Sequence, residues 1–258
     1  MRMKADMHVH IVPGILIGKT GGRIRRSLSA EETWNAVSVS GAEKMAVLGW
    51  PFAGEEDCVL QNDFILKEMQ KQKDILLGFG TVNPAAGESA VREAERCLDA
   101  GFFGIGELDP EQQGFSLTDP FFERICTLCV SRRRPLCLHA GIGMKDHGTG
   151  RKDLLPASYY HFIEKWQSLV LILPHFGGGI PFYAMMPEVG RHLKNVIFDN
   201  APDTEKYVPS ASECAELCLK ENRLAYGSHF PVVLQDGKET EITRGSCREV
   251  PPLLGGLL

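Results

Sequence analysis

Short apolar runs recur along the chain at intervals of about 25 to 40 residues, and stretches of helical periodicity lie between them. The runs fall near Ala5–His10, Lys44–Leu48, Leu76–Val82, Phe102–Glu107, Pro135–His139, Leu169–His175, Asn195–Asp199 and Arg223–His229. They are rich in Val, Ile, Leu and Phe and mostly unbroken by polar residues, as expected of strands covered on both faces of a parallel sheet. Between them, Ser29-Ala-Glu-Glu32 is a capping box that opens a helix toward Val39. Amphipathic patterns predict further helices over Asn62–Lys73, Glu88–Ala100, Pro120–Arg132, Pro156–Trp166, Pro181–Lys194 and Ser210–Asn222. Eight strand-like units alternating with helices predict an α/β fold, a distorted (β/α)8 TIM barrel with its site at the C-terminal ends of the strands. An open doubly wound sheet is the rival, but no GxGxxG follows the first strand and no Walker A motif occurs.

Two segments depart from the alternation. Pro13–Leu28 is long for a βα connection and reads as a loop or lid over the barrel mouth. From about residue 232 the chain is an irregular tail, rich in Gly and Pro, without a convincing closing helix. The whole of residues 1–258 is read as one barrel domain with that tail.

Composition narrows the function. With 43% hydrophobic and 24% charged residues, the chain has ample material for a core. A net charge of -5 argues against a duplex-binding surface. No apolar run approaches the ~20 residues of a membrane span, and Asp6, His8 and His10 stand where a secretory apolar region would lie. The expected partner is a small-molecule substrate, with no nucleic acid and no membrane, in the cytoplasm; a homo-oligomer is left open. The cysteine pairs Cys126/Cys129 and Cys214/Cys218 fall on helical patterns and read as buried free thiols rather than a zinc knuckle.

The candidate chemistry sits at strand ends. His8-Val9-His10 closes the first run, and alternation puts both imidazoles on one face. Glu107, His139, His175 and His229 each end another apolar run. A core histidine explains any one of these, but a divalent-metal site explains their convergence better.

The motifs Asp6-Met-His-Val-His10, Gly101-Phe-Phe-Gly-Ile-Gly-Glu107, Leu138-His139-Ala140, Pro174-His-Phe-Gly-Gly-Gly-Ile-Pro-Phe-Tyr183 and Gly227-Ser-His-Phe-Pro231 together resemble the amidohydrolase superfamily. The closer likeness is to its amidohydrolase-related (amidohydrolase 2) branch of metal-dependent hydrolases and nonoxidative decarboxylases. The resemblance spans about residues 5 to 232 and implies His8, His10 and His139 as metal ligands. It makes His175 a second-metal ligand or the acid/base. Glu107 matches a carboxylate that bridges two metals in the related TatD-like nucleases, or accepts from a ligand histidine. The implied cofactor is one or two divalent ions, zinc foremost, and the implied activity is hydrolysis of a small organic substrate by metal-activated water. A nonoxidative decarboxylase is the alternative. The branch has Gly-Ser-Asp-x-Pro where this chain has His229, and that Asp binds metal and takes the proton from water. Three readings stay open: a retuned enzyme in which His229 is catalytic, an impaired metal-binding relative, and an altered sequence.

Substrate-binding candidates are Asn83, Asp109 and Trp50, each at the end of a run, with an Asn-Pro turn, a turn start and barrel packing as their alternatives. His147, Arg151 and Lys152 lie on the loop after the fifth run, where they could meet an anionic substrate. His161 and His192 fall on predicted helices and read as structural.

Overall fold

Apolar runs with no polar face are stable only where both faces are covered, and all eight find that cover in one sheet. A computed structural model describes residues 3–140, 156–202, 210–219, 222–234 and 236–257. The strands are β1 (Ala5–His10), β2 (Lys44–Leu48), β3 (Leu76–Gly80), β4 (Gly104–Leu108), β5 (Leu136–Leu138), β6 (Leu171–Leu173), β7 (Val196–Asp199) and β8 (Leu224–Ala225). They lie side by side in sequence order, every neighbour parallel. Met7 N–H to Tyr226 O at 2.8 Å, His229 N–H to His8 O at 2.8 Å and His10 N–H to Phe230 O at 2.9 Å join the chain after β8 back to β1. The result is the (β/α)8 TIM barrel.

The helices are α1 (Ala30–Val37), α2 (Glu55–Lys71), α3 (Glu88–Asp99), α4 (Pro110–Gln113), α5 (Pro120–Ser131), α6 (Pro156–Lys165), α7 (Pro187–His192), α8 (Ala211–Leu219) and α9 (Pro252–Gly255). The Ser29–Glu32 capping box forms in both directions at the start of α1. Helix α2 begins at Glu55 rather than Asn62, since Glu55, Glu56 and Asp57 suit the positive end of a helix dipole. The helix expected over Pro181–Lys194 is broken. His175–Tyr183 forms 3₁₀ turns, with left-handed φ from His175 (55°) through Gly179 (96°), and a regular helix resumes only at Pro187.

One residue from most strands fills the barrel interior: Ala5 and Met7, Leu48, Phe79, Cys137, Ile172, Ile197 and Ala225. A second layer, including Val9, Val47, Ile105, Leu108, Leu138 and Phe198, packs toward the helices. Two bulges interrupt this alternation. Between Asp6 and Val9 strand β1 takes three steps against two along β2, and between Ile105 and Leu108 strand β4 does the same against β5. Such bulges re-aim side chains, and these sit at the strands that carry His8, His10 and Glu107.

The lid and the tail are tied together. Arg23 O accepts from Val233 N–H, and Arg26 pairs with Glu239. Leu16 and Ile24 of the lid pack with Trp50, Phe52 and Val232 in a small core of their own. The tail then runs to the other end of the barrel, where Val250 N–H donates to Met3 O and Val250 and Leu254 join the interior core. All eight cysteines are free; Cys126 and Cys129 are buried, whereas Cys218 is half-buried and Cys214 is exposed on α8, correcting the expectation of buried thiols there. Among the described residues no helix is long and apolar enough to cross a membrane.

Candidate metal centre

The end of β1 sets the centre. His8 and His10 are fully buried, and their Nε2 atoms lie 3.2 Å apart. Their other nitrogens are committed: His8 Nδ1–H donates to Asp199 Oδ2 at 2.9 Å and His10 Nδ1–H to Leu48 O at 3.1 Å. A carbonyl or carboxylate oxygen can only accept, so each such bond holds a proton on Nδ1 and leaves Nε2 as the nitrogen that would face a metal. The same device holds two more rings. His175 Nδ1–H donates to Ala201 O at 2.8 Å, and His229 Nδ1–H to Pro202 O at 2.5 Å. The His229 ring centre lies 4.6 Å from that of His8, 4.7 Å from His175 and 5.4 Å from His10. Gly227 allows this crowding, because a Cβ there would stand 2.7 Å from His8 Cβ.

Glu107, 3% exposed, reaches into the middle of the rings. Its Oε2 is 3.6 Å from His8 Nε2 and 3.8 Å from His10 Nε2. Its Oε1 is 2.6 Å from His139 Nδ1 and 4.0 Å from His175 Nε2. Among the described residues two donor triads have ligand atoms within 4.8 Å of one another: His8, His10 and His229, and His8, Glu107 and His175. His139 stands at the edge, against Glu107 and 5.1 Å from the His175 ring, and belongs to neither triad.

The electrostatics call for a cation. Burial opposes charge on His8, but Asp199 and Glu107 outweigh it and push its pKa up to about 10. Burial and the charge on His8 push His10 down to about 3. Burial works against an ionised Glu107 as well, yet His139 and His8 hold it well below the usual carboxylate range. Asp199 is likewise held low by His8 against the effect of burial. Two buried carboxylates among imidazoles whose Nδ1 atoms are held and whose Nε2 atoms face inward are a donor set that fits a divalent ion.

Asp199 is the residue that strand-end reasoning passed over, although it ends Val196-Ile-Phe-Asp199 as the others end their runs. Its Oδ1 accepts from His175 N–H at 2.9 Å and Ala201 N–H at 3.0 Å while Oδ2 holds His8. Asp6, pushed up to about 6 by burial, accepts from the backbone N–H of His8 and Ser228 and so joins β1 to the chain after β8.

A cleft of about 450 Å³ opens above the centre, lined in part by Lys19, Arg23, Trp50, Glu107, Asp109, His139 and His229. The lid thus contributes to its wall, as its length suggested. Trp50 meets the His10 ring edge-on at 5.3 Å. Its buried indole nitrogen has no hydrogen-bond partner among the described residues. Asp109 caps α4 through Oδ1, and burial raises its pKa. Asn83 accepts from Ala85 N–H, the bond of an Asn-Pro turn, and donates to Ala53 O on the chain after β2. His147, Arg151 and Lys152 lie outside the described residues. His161 and His192 are on α6 and α7, where each pairs with Glu164.

The fold agrees with comparison to known proteins. No curated protein matches the chain. An amidohydrolase II structure superposes with a TM-score of 0.70 at 18% identity, over 91% of this chain and 89% of that one. The 5-carboxyvanillate decarboxylase of Sphingomonas paucimobilis does so with a TM-score of 0.69 at 13% identity, over 90% and 89%. The manganese-bound 5-carboxyvanillate decarboxylase of Novosphingobium aromaticivorans gives 0.66 at 18% identity, over 89% and 86%. Likeness at these identities speaks for the fold alone. The amidohydrolase family profile, however, matches residues 5–244, from β1 through the lid-bound part of the tail, and the chain therefore belongs to the amidohydrolase-2 family.

Proposed function

We propose that this chain is a hydrolase that uses a divalent cation, zinc by preference, to turn water against a small organic substrate at a carbonyl-type carbon. Glu107 carries the reading. Its two oxygens face two sets of nitrogens, His8 with His10 and His139 with His175, so one carboxylate would serve the residues that hold one ion or two. Its negative charge also disfavours an acid substrate at the reacting centre, which speaks against decarboxylation.

His8, His10, Glu107, His139 and His175 would hold the ion or ions. When bound, a divalent ion supplies Lewis acidity and brings the pKa of water toward neutrality. The chain's own groups do the rest. His175 or His229 would take and return a proton, since each has its Nδ1–H fixed on a carbonyl and its lone pair on Nε2. Trp50 and Asp109 line the cleft and would orient substrate. Asn83, whose side-chain atoms serve its turn and Ala53 O, takes no part in this proposal.

A nonoxidative decarboxylase is the second reading, favoured by the solved relatives that carry that activity. One experiment separates the two. Metal-loaded protein is offered esters, lactones, amides and hydroxybenzoates in ¹⁸O-labelled water. Label in the product acid without carbon dioxide is expected; carbon dioxide without label makes the enzyme a lyase. Neither, with tight metal binding, makes it an impaired relative.

A further inference from the structure

The two donor triads both contain His8, yet His8 has one nitrogen to offer, because Nδ1–H is held by Asp199. That nitrogen, Nε2, lies 3.2 Å from His10 Nε2. Two nitrogens each about 2.0–2.1 Å from one tetrahedral zinc stand about 3.4 Å apart, so His8 and His10 are spaced as two ligands of a single ion. His229 is the third member of that group. The ring centres of His8, His10 and His229 are separated by 5.1, 4.6 and 5.4 Å, a nearly equilateral cup.

The backbone at His229 is built to keep it there. Its φ is 58°, a region sparsely populated by residues with a Cβ. Three bonds brace it: His229 N–H to His8 O at 2.8 Å, Val232 N–H to His229 O at 2.9 Å, and Thr240 Oγ1–H to His229 O at 3.0 Å. Strain of this kind persists only where the surroundings enforce it, and it gathers at ligand sites.

We infer that His229 is a metal ligand rather than the catalytic base, and that the all-imidazole face it completes with His8 and His10 selects a nitrogen-preferring ion such as zinc over manganese. Imidazole suits zinc, copper and nickel, whereas carboxylate oxygens suit manganese and magnesium. Among the described residues, Glu107 is the one carboxylate that reaches the Nε2 atoms of both His8 and His10. Asp199 spends both oxygens on His8, His175 and Ala201. The inference rests on the reading that the cluster binds a divalent ion, not on the reaction being hydrolysis. It also leaves His175 as the ring that moves the proton.

The test is metal binding by the full chain. Metal-stripped wild type, His229→Asp and His229→Asn are titrated with Zn²⁺ and with Mn²⁺ against a chromophoric chelator. Asp and Asn both tolerate a left-handed φ, so the variants respect the backbone. The zinc-to-manganese affinity ratio is expected to fall by roughly tenfold or more in His229→Asp, the size of effect that retuning a metal's surroundings produces. An unchanged ratio in both variants overturns the inference. Anomalous diffraction from zinc-loaded wild type needs no variant: zinc density within bonding distance of His229 Nε2 is expected, and zinc bound away from His229 overturns it. Intact selectivity in a protein without hydrolytic turnover sinks the hydrolase reading alone.

Discussion

Asp199 does not line the cleft, yet it sets the ring of His8 and the backbone of His175 and Ala201 through its two oxygens. Replacing it with Asn keeps the shape, but an amide has one oxygen; with that held by His175 and Ala201 N–H, its NH2 faces His8 Nδ1 and favours the wrong tautomer. Asp199→Asn is therefore expected to weaken zinc binding by about 10- to 100-fold, measured by chelator competition, with little change in circular dichroism. The proton on His8 gives a second check. Its pKa is raised from 6.5 to about 10, so in neutral solution metal must displace a proton from it. Apparent affinity should rise about tenfold per pH unit and level off as the pH passes that value. Calorimetry in two buffers of different ionisation enthalpy should find one proton released per ion. In the metal-free protein, the stability that charged His8 contributes is fully present below 6.5 and lost as the pH climbs toward 10. Trp50 is a third case. A buried indole N–H without a partner among the described residues, in a side chain lining the cleft, suits an acceptor on the substrate. Trp50→Phe should raise KM by about 3- to 10-fold, the worth of one hydrogen bond, with zinc affinity unchanged.

Strands and helices differ in how well the chain announces them. The starts and ends of β1 and β2 follow from hydrophobic pattern alone, as does the capping box of α1, because both signals are local. Ser29→Ala should cost about 1 kcal/mol and lower Tm by roughly 2–4 °C, leaving zinc affinity intact because α1 lies outside the barrel wall. The bulges in β1 and β4 were not legible. Simple alternation would put Glu107 on the same face as Ile105, toward the helices, and the extra residue before Leu108 turns it inward. That residue appears only when β4 is laid against β5. The broken helix after β6 has a local origin. Gly177–Gly179 permit left-handed turns, and the helix breaks again at Met186, whose extended backbone (φ -76°, ψ 120°) precedes Pro187.

Across the whole molecule, the tail resolves the oddity of the sequence beyond Pro231. It closes both ends of the barrel, bonding to the lid at the mouth and inserting Leu254 among the interior side chains at the far end. The segment after residue 244 lies outside the family profile, yet Leu254 is 0% exposed. Leu254→Ala should cost about 2–5 kcal/mol. Calorimetric melting should show the fall in Tm, while zinc affinity stays near wild type because the metal centre is at the opposite end. A loss of metal binding in that variant would mean the tail couples the two ends.

Hydrophobic period, capping chemistry and the polar residue at the end of each apolar run depend on neighbours a few positions away. The order of strands, the barrel and most of the metal-site candidates could therefore be read from the chain. Which nitrogen each imidazole presents depends on contacts that no local pattern contains. His8 is oriented by a carboxylate 191 positions away, His175 by a carbonyl 26 away and His229 by a carbonyl 27 away. A list of histidines becomes a metal centre only when closure of the sheet brings the end of β7 against β1 and the chain after β8.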